Sequence, residues 1–244
     1  MSPKVRLLAR ELADLLDLAR GRTGAPVEAS LFLTRRCNSQ CSMCDYWKVS
    51  THDNELTTDE IISIFDQLKR LGVIVLSLSG EGELTLRPDL PLLLSEARNR
   101  GFLFSLNSNF LHLSDKNIQA IVDTRPYQVT VGLDTLDPDR YKQIRGIAGG
   151  VQRVLANIAK LQAAGYRGVA IGTVILDSNL DDLVKLVQFT TEQGLCGIRF
   201  TAFQPNGFGK KWTPEQLHSY GNPDFLKKLS HQFEKLVALK REGH

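Results

Sequence analysis

Three cysteines on one short stretch are the residues of this sequence best suited to chemistry. Cys37, Cys41 and Cys44 follow the spacing C-x3-C-x2-C, which places three thiolates on one loop. A cubane 4Fe–4S cluster is ordinarily held by four cysteine thiolates, so three thiolates leave one iron open to a ligand from outside the protein. Catalytic metal sites keep such an open position and structural sites do not. The spacing therefore indicates an enzyme.

Zinc is the alternative occupant of these cysteines. A structural zinc site usually has four Cys or His ligands, often as paired C-x2-C units. His52 is the only histidine nearby, and Cys196 lies far along the chain. The motif favours a cluster, and a zinc-binding structural or interaction module without turnover stays as the alternative. We expect Cys196 to be a small buried side chain near the start of a strand.

The bulk composition is that of an ordinary globular domain. The 244 residues suit a single α/β barrel domain, and the net charge of +3 gives no clear signal for nucleic acid. Four cysteines are too few for a disulfide scaffold and favour the reducing cytoplasm. No run reaches the roughly 18 apolar residues of a membrane span, and Glu11, Asp14 and Asp17 interrupt the apolar centre that a signal peptide needs.

Strand-like and helix-like runs alternate along the chain after an amphipathic helix over residues 4–20. Helix starts are marked by the capping box of Thr57 and Glu60, by Ser114, and by the prolines at 138 and 223. The predicted strands cover residues 30–34, 73–78, 102–106, 128–133, 168–175 and 198–203. Six β-then-α units in series predict a parallel sheet with helices outside it, too few for a closed eight-fold barrel.

The fold class predicted from this series is α/β, as a partial (β/α)6 TIM-like barrel. A flat doubly wound sheet is the alternative, because the succession of units does not distinguish the two. We expect an N-terminal helix and lead-in over residues 1–27, a core over 28–207, and a C-terminal loop and helix over 208–244. Ligands collect at the carboxyl ends of parallel strands, so the polar residues that follow each strand are the candidate binding residues.

The cysteine spacing, followed by these strand-end segments in order, resembles the radical S-adenosylmethionine (radical SAM) enzymes. In that family the open iron is chelated by the amino and carboxylate groups of S-adenosylmethionine. An electron from the cluster then splits the sulfonium S–C5′ bond, and the 5′-deoxyadenosyl radical abstracts hydrogen from a substrate. The resemblance implies the same partial barrel. The sequence is similar to the single-cluster core of the MoaA/SPASM-type group, but without the cysteines that bind auxiliary clusters in that group.

The resemblance assigns a role to the segment after the second predicted strand. Gly82 and Glu83 match the Gly-Glu of a Gly-Gly-Glu-Pro segment, and the glutamate would accept hydrogen bonds from the methionine ammonium. The glycine would let the backbone approach a ligand closely. Glu81 replaces the first glycine and Leu84 the proline, so Glu81 is a rival for the glutamate role.

Further matches follow the next two strands. Ser108 and Asn109 resemble a Thr-Asn-Gly turn that would reach the ribose or the methionine carboxylate, with Phe110 in place of the glycine. Asp134 and Arg145 match a Ser-Leu-Asp segment and a later Arg-Gly, where Gly132 replaces the serine that would contact the cofactor. Polar capping of the strands, a loop anchor and an ion pair are the alternative roles of these residues.

The resemblance also implies roles on the cysteine loop and the fifth strand. Met43 would pack near adenine and Tyr46 would shield the cluster, although ordinary packing explains both. Thr173 lies on a loosely matching adenine-binding strand, and Asn179 after it fits a family asparagine or a helix cap. On the sixth strand Arg199, with residues 204–207 beyond it, would line the mouth, and residues 210–212 would form a lid or a loop.

Two partners follow from the resemblance. The cluster needs a low-potential electron, which implies a small flavodoxin- or ferredoxin-like donor, and Arg35, Arg36 and Lys48 beside the cysteines could meet an acidic donor. The other partner is an unidentified organic substrate: a peptide, lipid-like metabolite, sugar or nucleoside. A barrel enzyme of ordinary acid–base type, working through Glu81, Glu83 or Asp134, is a further alternative and would survive loss of the cysteines.

Overall fold

The computed structural model of the protein describes residues 3–21, 24–48, 54–203 and 222–241. Its strands are β1 (Glu28–Phe32), β2 (Val75–Ser79), β3 (Leu103–Ser108), β4 (Gln128–Gly132), β5 (Val169–Ile175) and β6 (Gly197–Ala202). Its helices are α1 (Pro3–Ala19), α2 (Thr58–Arg70), α3 (Leu90–Asn99), α4 (Asp115–Thr124), α5 (Pro138–Arg145), α6 (Gly150–Ala163), α7 (Leu183–Glu192) and α8 (Pro223–Arg241). His52 and the mouth and lid segments at 204–207 and 210–212 lie outside the described residues.

The six strands form one parallel sheet in the order β1-β2-β3-β4-β5-β6. Each strand is followed by a helix, and every strand pairs with its neighbour in sequence. A doubly wound sheet reverses its strand order at a switch point, so that alternative is wrong. β1 and β6 are the two edges of an open sheet, and the predicted partial barrel is confirmed.

Helices begin where the sequence signals placed them. Thr57 and Glu60 form the expected capping box at the start of α2, Ser114 caps α4 by accepting from the backbone N–H of Asn117, and Asp137 caps α5 ahead of Pro138. Each cap satisfies backbone N–H groups that the first helical turn leaves unpaired. Strand boundaries differ from those predicted by two residues at most.

The two faces of the sheet differ in side-chain size and polarity. Leu78, Leu106 and Val131 point toward the helices and are buried in the main hydrophobic core. Side chains alternate along a strand, so the other face carries neighbours such as Asn107 and Thr130, which are paired in register across β3 and β4. Closed barrels fill their interior with bulky branched residues. The small polar residues here leave room inside the open barrel instead.

One expectation about burial is wrong. Cys196 is exposed because it precedes β6, an edge strand of the sheet. On α1, the apolar side chains of Leu8 and Leu12 are 61% and 64% exposed. This helix contacts the barrel through Arg6, which donates to the carbonyl oxygen of Gly101 at 2.6 Å. Of the helices that the structure describes, none has the length and apolar character to cross a membrane.

Candidate active site

A cavity of about 400 Å³ opens at the carboxyl ends of the strands. The sequence-predicted site residues that line it are Cys37, Cys41, Met43, Cys44, Glu81, Gly82, Glu83, Ser108, Asn109, Arg145, Thr173 and Arg199. Residues from the cysteine loop and from five of the strand ends thus meet at one place. Among the predicted residues, Tyr46, Asp134 and Asn179 do not contribute to the lining, and each contacts a residue that does.

Each of the three cysteine sulfurs has a hydrogen-bonding group beside it. The backbone N–H of Ser39 bonds to the Cys37 sulfur, and the backbone N–H of Tyr46 bonds to the Cys44 sulfur. The Cys41 Sγ lies 3.2 Å from Ser39 Oγ and 3.9 Å from Arg145 Nη1. Donors directed at sulfur stabilise thiolates and tune iron–sulfur clusters, so the loop is folded in advance to hold negative sulfur.

Without a metal, Cys37 and Cys44 favour the thiol form, because burial raises the pKa of both. Burial raises the pKa of Cys37 to about 11, against the lowering effect of the Ser39 backbone N–H. Burial also raises the pKa of Cys44. Metal binding must therefore displace protons. Among the described residues, no three His, Cys, Asp or Glu side chains converge on one ion. Thiolates that each bind a different iron of a cube have no need to converge.

The cysteine loop is fixed from two sides. On one side, Asn109 Nδ2 donates to Asn38 Oδ1 at 2.8 Å, which links the loop to the end of β3. On the other, the backbone N–H of Gln40 donates to the carbonyl oxygen of Arg145 at 3.1 Å. Gly146 follows with a φ of 74°, and a Cβ there would lie 2.7 Å from the Gln40 carbonyl oxygen. The Arg-Gly pair is therefore a contact surface for the loop.

Gly82 is in close contact with the backbone of the cysteine loop. A Cβ on Gly82 would lie 2.1 Å from the Arg36 carbonyl oxygen, and the backbone N–H of Glu83 donates to that same oxygen at 2.6 Å. The Gly82 N–H donates to the Thr34 carbonyl oxygen. Glycine is required here because the backbone of the cysteine loop passes directly over it. The sequence predicted that glycine makes room for a ligand, whereas here it makes room for the loop.

Of the two rival glutamates, Glu83 is buried and Glu81 is on the rim. Glu83 Oε1 accepts from Ser108 Oγ at 2.7 Å and from Thr85 Oγ1 at 2.6 Å, and Oε2 accepts from the backbone N–H of Asn109 at 2.6 Å. Glu81 Oε2 instead accepts from Arg35 Nε at 2.6 Å. Glu83 is thus held as a carboxylate in the cavity wall.

Phe110 has the backbone conformation that glycine favours. Its φ is 60°, in the left-handed region that costs a non-glycine residue about 1–2 kcal/mol. The phenyl ring is fully buried, and full burial of such a side chain contributes about 1.5–3 kcal/mol. The turn after β3 therefore keeps the glycine-type geometry of the segment that it resembles, with the ring offsetting the strain.

Asp134 holds Arg145 in place behind the cavity wall. Its carboxylate is fully buried, accepts from Arg145 Nε at 2.6 Å and accepts from the backbone N–H of Val174 at 2.9 Å. Burial opposes the charge on Arg145, yet Asp134 and Cys41 raise its pKa above the ordinary value. The carboxylate is a loop anchor, the alternative role considered for it, and the guanidinium alone reaches the cavity.

Gly132, in place of the expected serine, leaves space for that guanidinium. A Cβ at Gly132 would lie 3.0 Å from both Nη1 and Nη2 of Arg145. Contacts between 3.0 and 3.4 Å are tighter than nine in ten real Cβ contacts, so the guanidinium would have to move by a few tenths of an ångström. The guanidinium therefore packs against the backbone at the end of β4, where a side chain would otherwise project into the cavity.

Three other predicted residues fix loops through hydrogen bonds. Thr173 Oγ1 donates to the Leu133 carbonyl oxygen at 2.7 Å, which joins β5 to the end of β4. Asn179 Nδ2 donates to the Asp134 carbonyl oxygen at 3.0 Å, which ties two loops together. Its Oδ1 accepts from the backbone N–H of Leu176 at 2.8 Å and so caps the 3-10 turn Asp177–Asp182 that leads into α7. Tyr46 bonds to Glu81, and burial raises its pKa.

Sequence reasoning missed Asn38, Ser39 and Arg87. Arg87 Nη1 donates to the Leu33 carbonyl oxygen at 2.7 Å and so supports the start of the cysteine loop. The contact of Ser39 with Cys41 and the ion pair of Arg87 with Asp89 are local. The contacts that fix the cysteine loop, to Leu33, Asn109 and the Arg145 carbonyl oxygen, each join residues that are 54 or more positions apart. No local pattern signals such contacts.

The family is established by comparison with known proteins. The model described as the radical SAM superfamily matches residues 31–190. The chain therefore belongs to the radical SAM superfamily. That family uses a 4Fe–4S cluster and S-adenosylmethionine, so the family, fold and cofactors expected from the sequence are confirmed.

Individual relatives are about 30% identical to the chain over the residues that align. It is 32% identical over 207 residues to a GTP 3′,8-cyclase of Xanthomonas campestris, covering 80% of this chain and 60% of the relative. It is 28% identical over 207 residues to a PqqA peptide cyclase of Ruegeria pomeroyi, covering 84% of this chain and 54% of the relative. The chain thus spans between half and two thirds of the length of these relatives.

Among solved structures, Streptococcus suis SuiB bound to S-adenosylmethionine superposes with a TM-score of 0.73. The alignment covers 93% of this chain and 52% of SuiB at 16% identity. At that identity the likeness shows the fold alone, and the fold is the partial barrel described above.

Proposed function

We propose that this chain binds a 4Fe–4S cluster at Cys37, Cys41 and Cys44, binds S-adenosylmethionine beside it, and cleaves that molecule reductively. The observation that carries the proposal is the cavity of about 400 Å³ in which all three half-buried thiols meet the polar strand ends. The donor set fits the cluster, since it offers three thiols, each beside a hydrogen-bonding group.

When bound, this cofactor pair supplies a 5′-deoxyadenosyl radical that abstracts hydrogen from a substrate. The chain's own part is to hold and orient both molecules. Glu83 Oε1 accepts three hydrogen bonds, from Ser108 Oγ and from the backbone and hydroxyl of Thr85, while Oε2 accepts one from Asn109. A carboxylate oxygen takes about two donors. Oε2 therefore has capacity for the methionine ammonium.

The positive side of the cavity complements the carboxylate of the same molecule. Arg145 presents its guanidinium at the end of β4, and Gly132 leaves it room there. A guanidinium binds carboxylate by charge-assisted hydrogen bonds. Glu83 and Arg145 thus offer opposite charges on the cavity wall for the two charged groups of the methionine moiety. Met43, also in the lining, is the apolar side chain that we assign to the adenine.

The substrate is an organic molecule that enters from the open side of the barrel. Relatives are named for GTP and for the PqqA peptide, so a nucleotide and a peptide are the two classes to test. We further propose a small acidic flavodoxin- or ferredoxin-like electron donor and a reducing cytoplasmic setting. Arg35, Arg36 and Lys48 beside the cysteines are each about half exposed, and all four cysteines are free.

The test is anaerobic reconstitution followed by a cleavage assay. We expect about four irons and four sulfides per chain, and 5′-deoxyadenosine on addition of dithionite and S-adenosylmethionine. Alanine at Cys37, Cys41 or Cys44 should abolish both results. Cys196→Ala, which removes the exposed cysteine outside the cavity, should abolish neither. Zinc in place of iron and sulfide would support the structural module, and turnover that survives all three substitutions would support acid–base chemistry.

A further inference from the structure

Arg145 contacts a cysteine sulfur as well as a carboxylate. Its Nε donates to Asp134 Oδ2 at 2.6 Å, while Nη1 lies 3.9 Å from Cys41 Sγ. Asp134 holds the guanidinium from behind, and its own side chain is fully buried. The nitrogen that faces the sulfur is therefore fixed by a buried partner.

Ser39, the other side-chain neighbour of that sulfur, has its proton committed elsewhere. Ser39 Oγ lies 3.2 Å from Cys41 Sγ but donates to the carbonyl oxygen of Arg145 at 2.9 Å. A hydroxyl has one proton. Once Cys41 is a thiolate it can no longer donate to Ser39, and Arg145 remains the side-chain donor directed at this sulfur among the described residues.

Gly132 controls whether the guanidinium can reach the sulfur. A Cβ there would come within 3.0 Å of both terminal nitrogens of Arg145, and a serine would add an oxygen beyond that carbon. The side chain of Arg145 cannot retreat without losing Asp134, which its Nε contacts at 2.6 Å. A side chain at position 132 should therefore displace Nη1 from Cys41.

We propose that Arg145, admitted by Gly132 and held by Asp134, donates a hydrogen bond to the Cys41 sulfur in the loaded enzyme and raises the midpoint potential of the cluster. This inference rests on the proposed function. One electron from an external reductant makes the cluster and its sulfurs more negative, so a cationic donor at sulfur stabilises the reduced form more than the oxidised form. The shielded position of the guanidinium strengthens the effect.

The experiment is a redox titration of the reconstituted protein without S-adenosylmethionine, followed by electron paramagnetic resonance. Arg145→Gln should lower the midpoint potential enough to change the ratio of reduced to oxidised cluster about tenfold at a fixed potential, which is 59 mV for a one-electron couple. Gly132→Ser should lower it as well, although the arginine remains. The midpoint potential of the double variant should be no lower than that of Arg145→Gln alone, because both changes remove the same contact.

Arg36→Gln is the matched control. It removes the same charge from the residue next to Cys37, but from a side chain that is 55% exposed, where solvent screens it. We expect a much smaller change in potential. Iron and sulfide content of every variant establishes that the cluster is intact. If Arg145→Gln fails to fold because Asp134 has lost its partner, Gly132→Ser still tests the contact, since it keeps the arginine.

Unchanged potentials in Gly132→Ser and Arg145→Gln with intact clusters would overturn the inference. A lower potential in Arg36→Gln equal to that in Arg145→Gln would overturn it too, because charge alone would then explain the effect. Failure of the unsubstituted protein to assemble a cluster or to cleave S-adenosylmethionine would instead refute the proposed function. The two failures are therefore distinguishable.

Discussion

The Glu83 carboxylate and the backbone N–H of Asn109 are joined by a hydrogen bond of 2.6 Å that ties the end of β2 to the end of β3. Asn109 in turn donates to Asn38 on the cysteine loop. One buried carboxylate therefore sits at the junction of two strands and the loop that carries the thiols. Loss of its charge should affect both stability and cofactor binding.

Glu83→Gln should lower the free energy of unfolding by about 1.5–3 kcal/mol, the value of hydrogen bonds to a charged group. Ser108, Thr85 and the backbone N–H of Asn109 all donate hydrogen bonds to Glu83. The amide nitrogen of glutamine is itself a donor, so it would face at least one of these donors without forming a bond. Denaturant unfolding measures the change, and calorimetry of the reconstituted protein should show weaker binding of S-adenosylmethionine. Glu81→Gln, which breaks the exposed pair with Arg35, should cost less than about 1 kcal/mol. Equal losses in the two variants would contradict the central role of Glu83.

Gly82→Ala should destabilise the fold and displace the cysteine loop. The added Cβ would lie 2.1 Å from the Arg36 carbonyl oxygen, a backbone atom that cannot rotate away. Overpacking of this kind costs about 1–3 kcal/mol, occasionally more. Thermal unfolding and iron content after reconstitution are the measurements, and both should fall.

Gly197→Ala is the control for that change. A Cβ at Gly197 meets no atom within 4 Å, and the residue lies in β6, away from the cysteine loop. We expect iron content equal to that of the unsubstituted protein and stability within about 1 kcal/mol of it. If Gly82→Ala behaved in the same way, the close packing of the loop on Gly82 would be wrong.

Two substitutions of Phe110 separate the effect of backbone strain on stability from the effect of burying the ring. Phe110→Ala loses the buried ring and keeps the left-handed backbone of φ 60°, at a cost of about 3–5 kcal/mol. Phe110→Gly loses the same ring but adopts that backbone without strain. The glycine variant should therefore be the more stable of the two by about 1 kcal/mol, as measured by denaturant unfolding. Greater stability of the alanine variant would contradict the strain.

The sequence predicted the elements well because local rules govern them. Thr57, Ser114 and Asp137 each cap a helix within four residues of themselves, so a short window contains the whole signal. The three cysteines lie within eight residues, and their spacing alone indicated a site. The predicted strand boundaries were off by up to two residues. The alternation of apolar and polar side chains continues from the end of a strand into the loop, so the pattern does not mark where the strand stops.

Roles within the site were harder to predict, because they depend on distant partners. Asp134 does not line the cavity at the strand ends, since its carboxylate is occupied by Arg145 and by the Val174 N–H, 40 residues away. The replacement of serine by Gly132 had no local explanation, and the structure supplies one in the position of the guanidinium. Exposure was also unpredictable for Cys196, because the position of a strand at the sheet edge is a property of the whole fold.

Tyr141 provides a prediction about pH. Its hydroxyl is buried and has no hydrogen-bond partner in the part of the chain that the structure describes, and burial raises its pKa from 10.0 to about 12. The folded state therefore holds this proton more tightly than the unfolded chain. The resulting stability is constant below pH 10, where both states are protonated, and is lost as the pH rises from 10 to 12 because only the unfolded chain ionises.

Tyr141→Phe should abolish that loss, which amounts to roughly 2–3 kcal/mol at 1.36 kcal/mol per pKa unit. At pH 8 the variant should be as stable as the parent or more stable, because it removes a buried polar group without a partner. The matched variant Tyr166→Phe removes a hydroxyl that donates to the Pro126 carbonyl oxygen at 3.0 Å, so it should lose about 1 kcal/mol at pH 8. Urea unfolding at pH 8 and pH 11 measures both. A difference between parent and Tyr141→Phe that stays the same at the two pH values would show that the Tyr141 hydroxyl ionises as freely in the folded protein as in the unfolded chain.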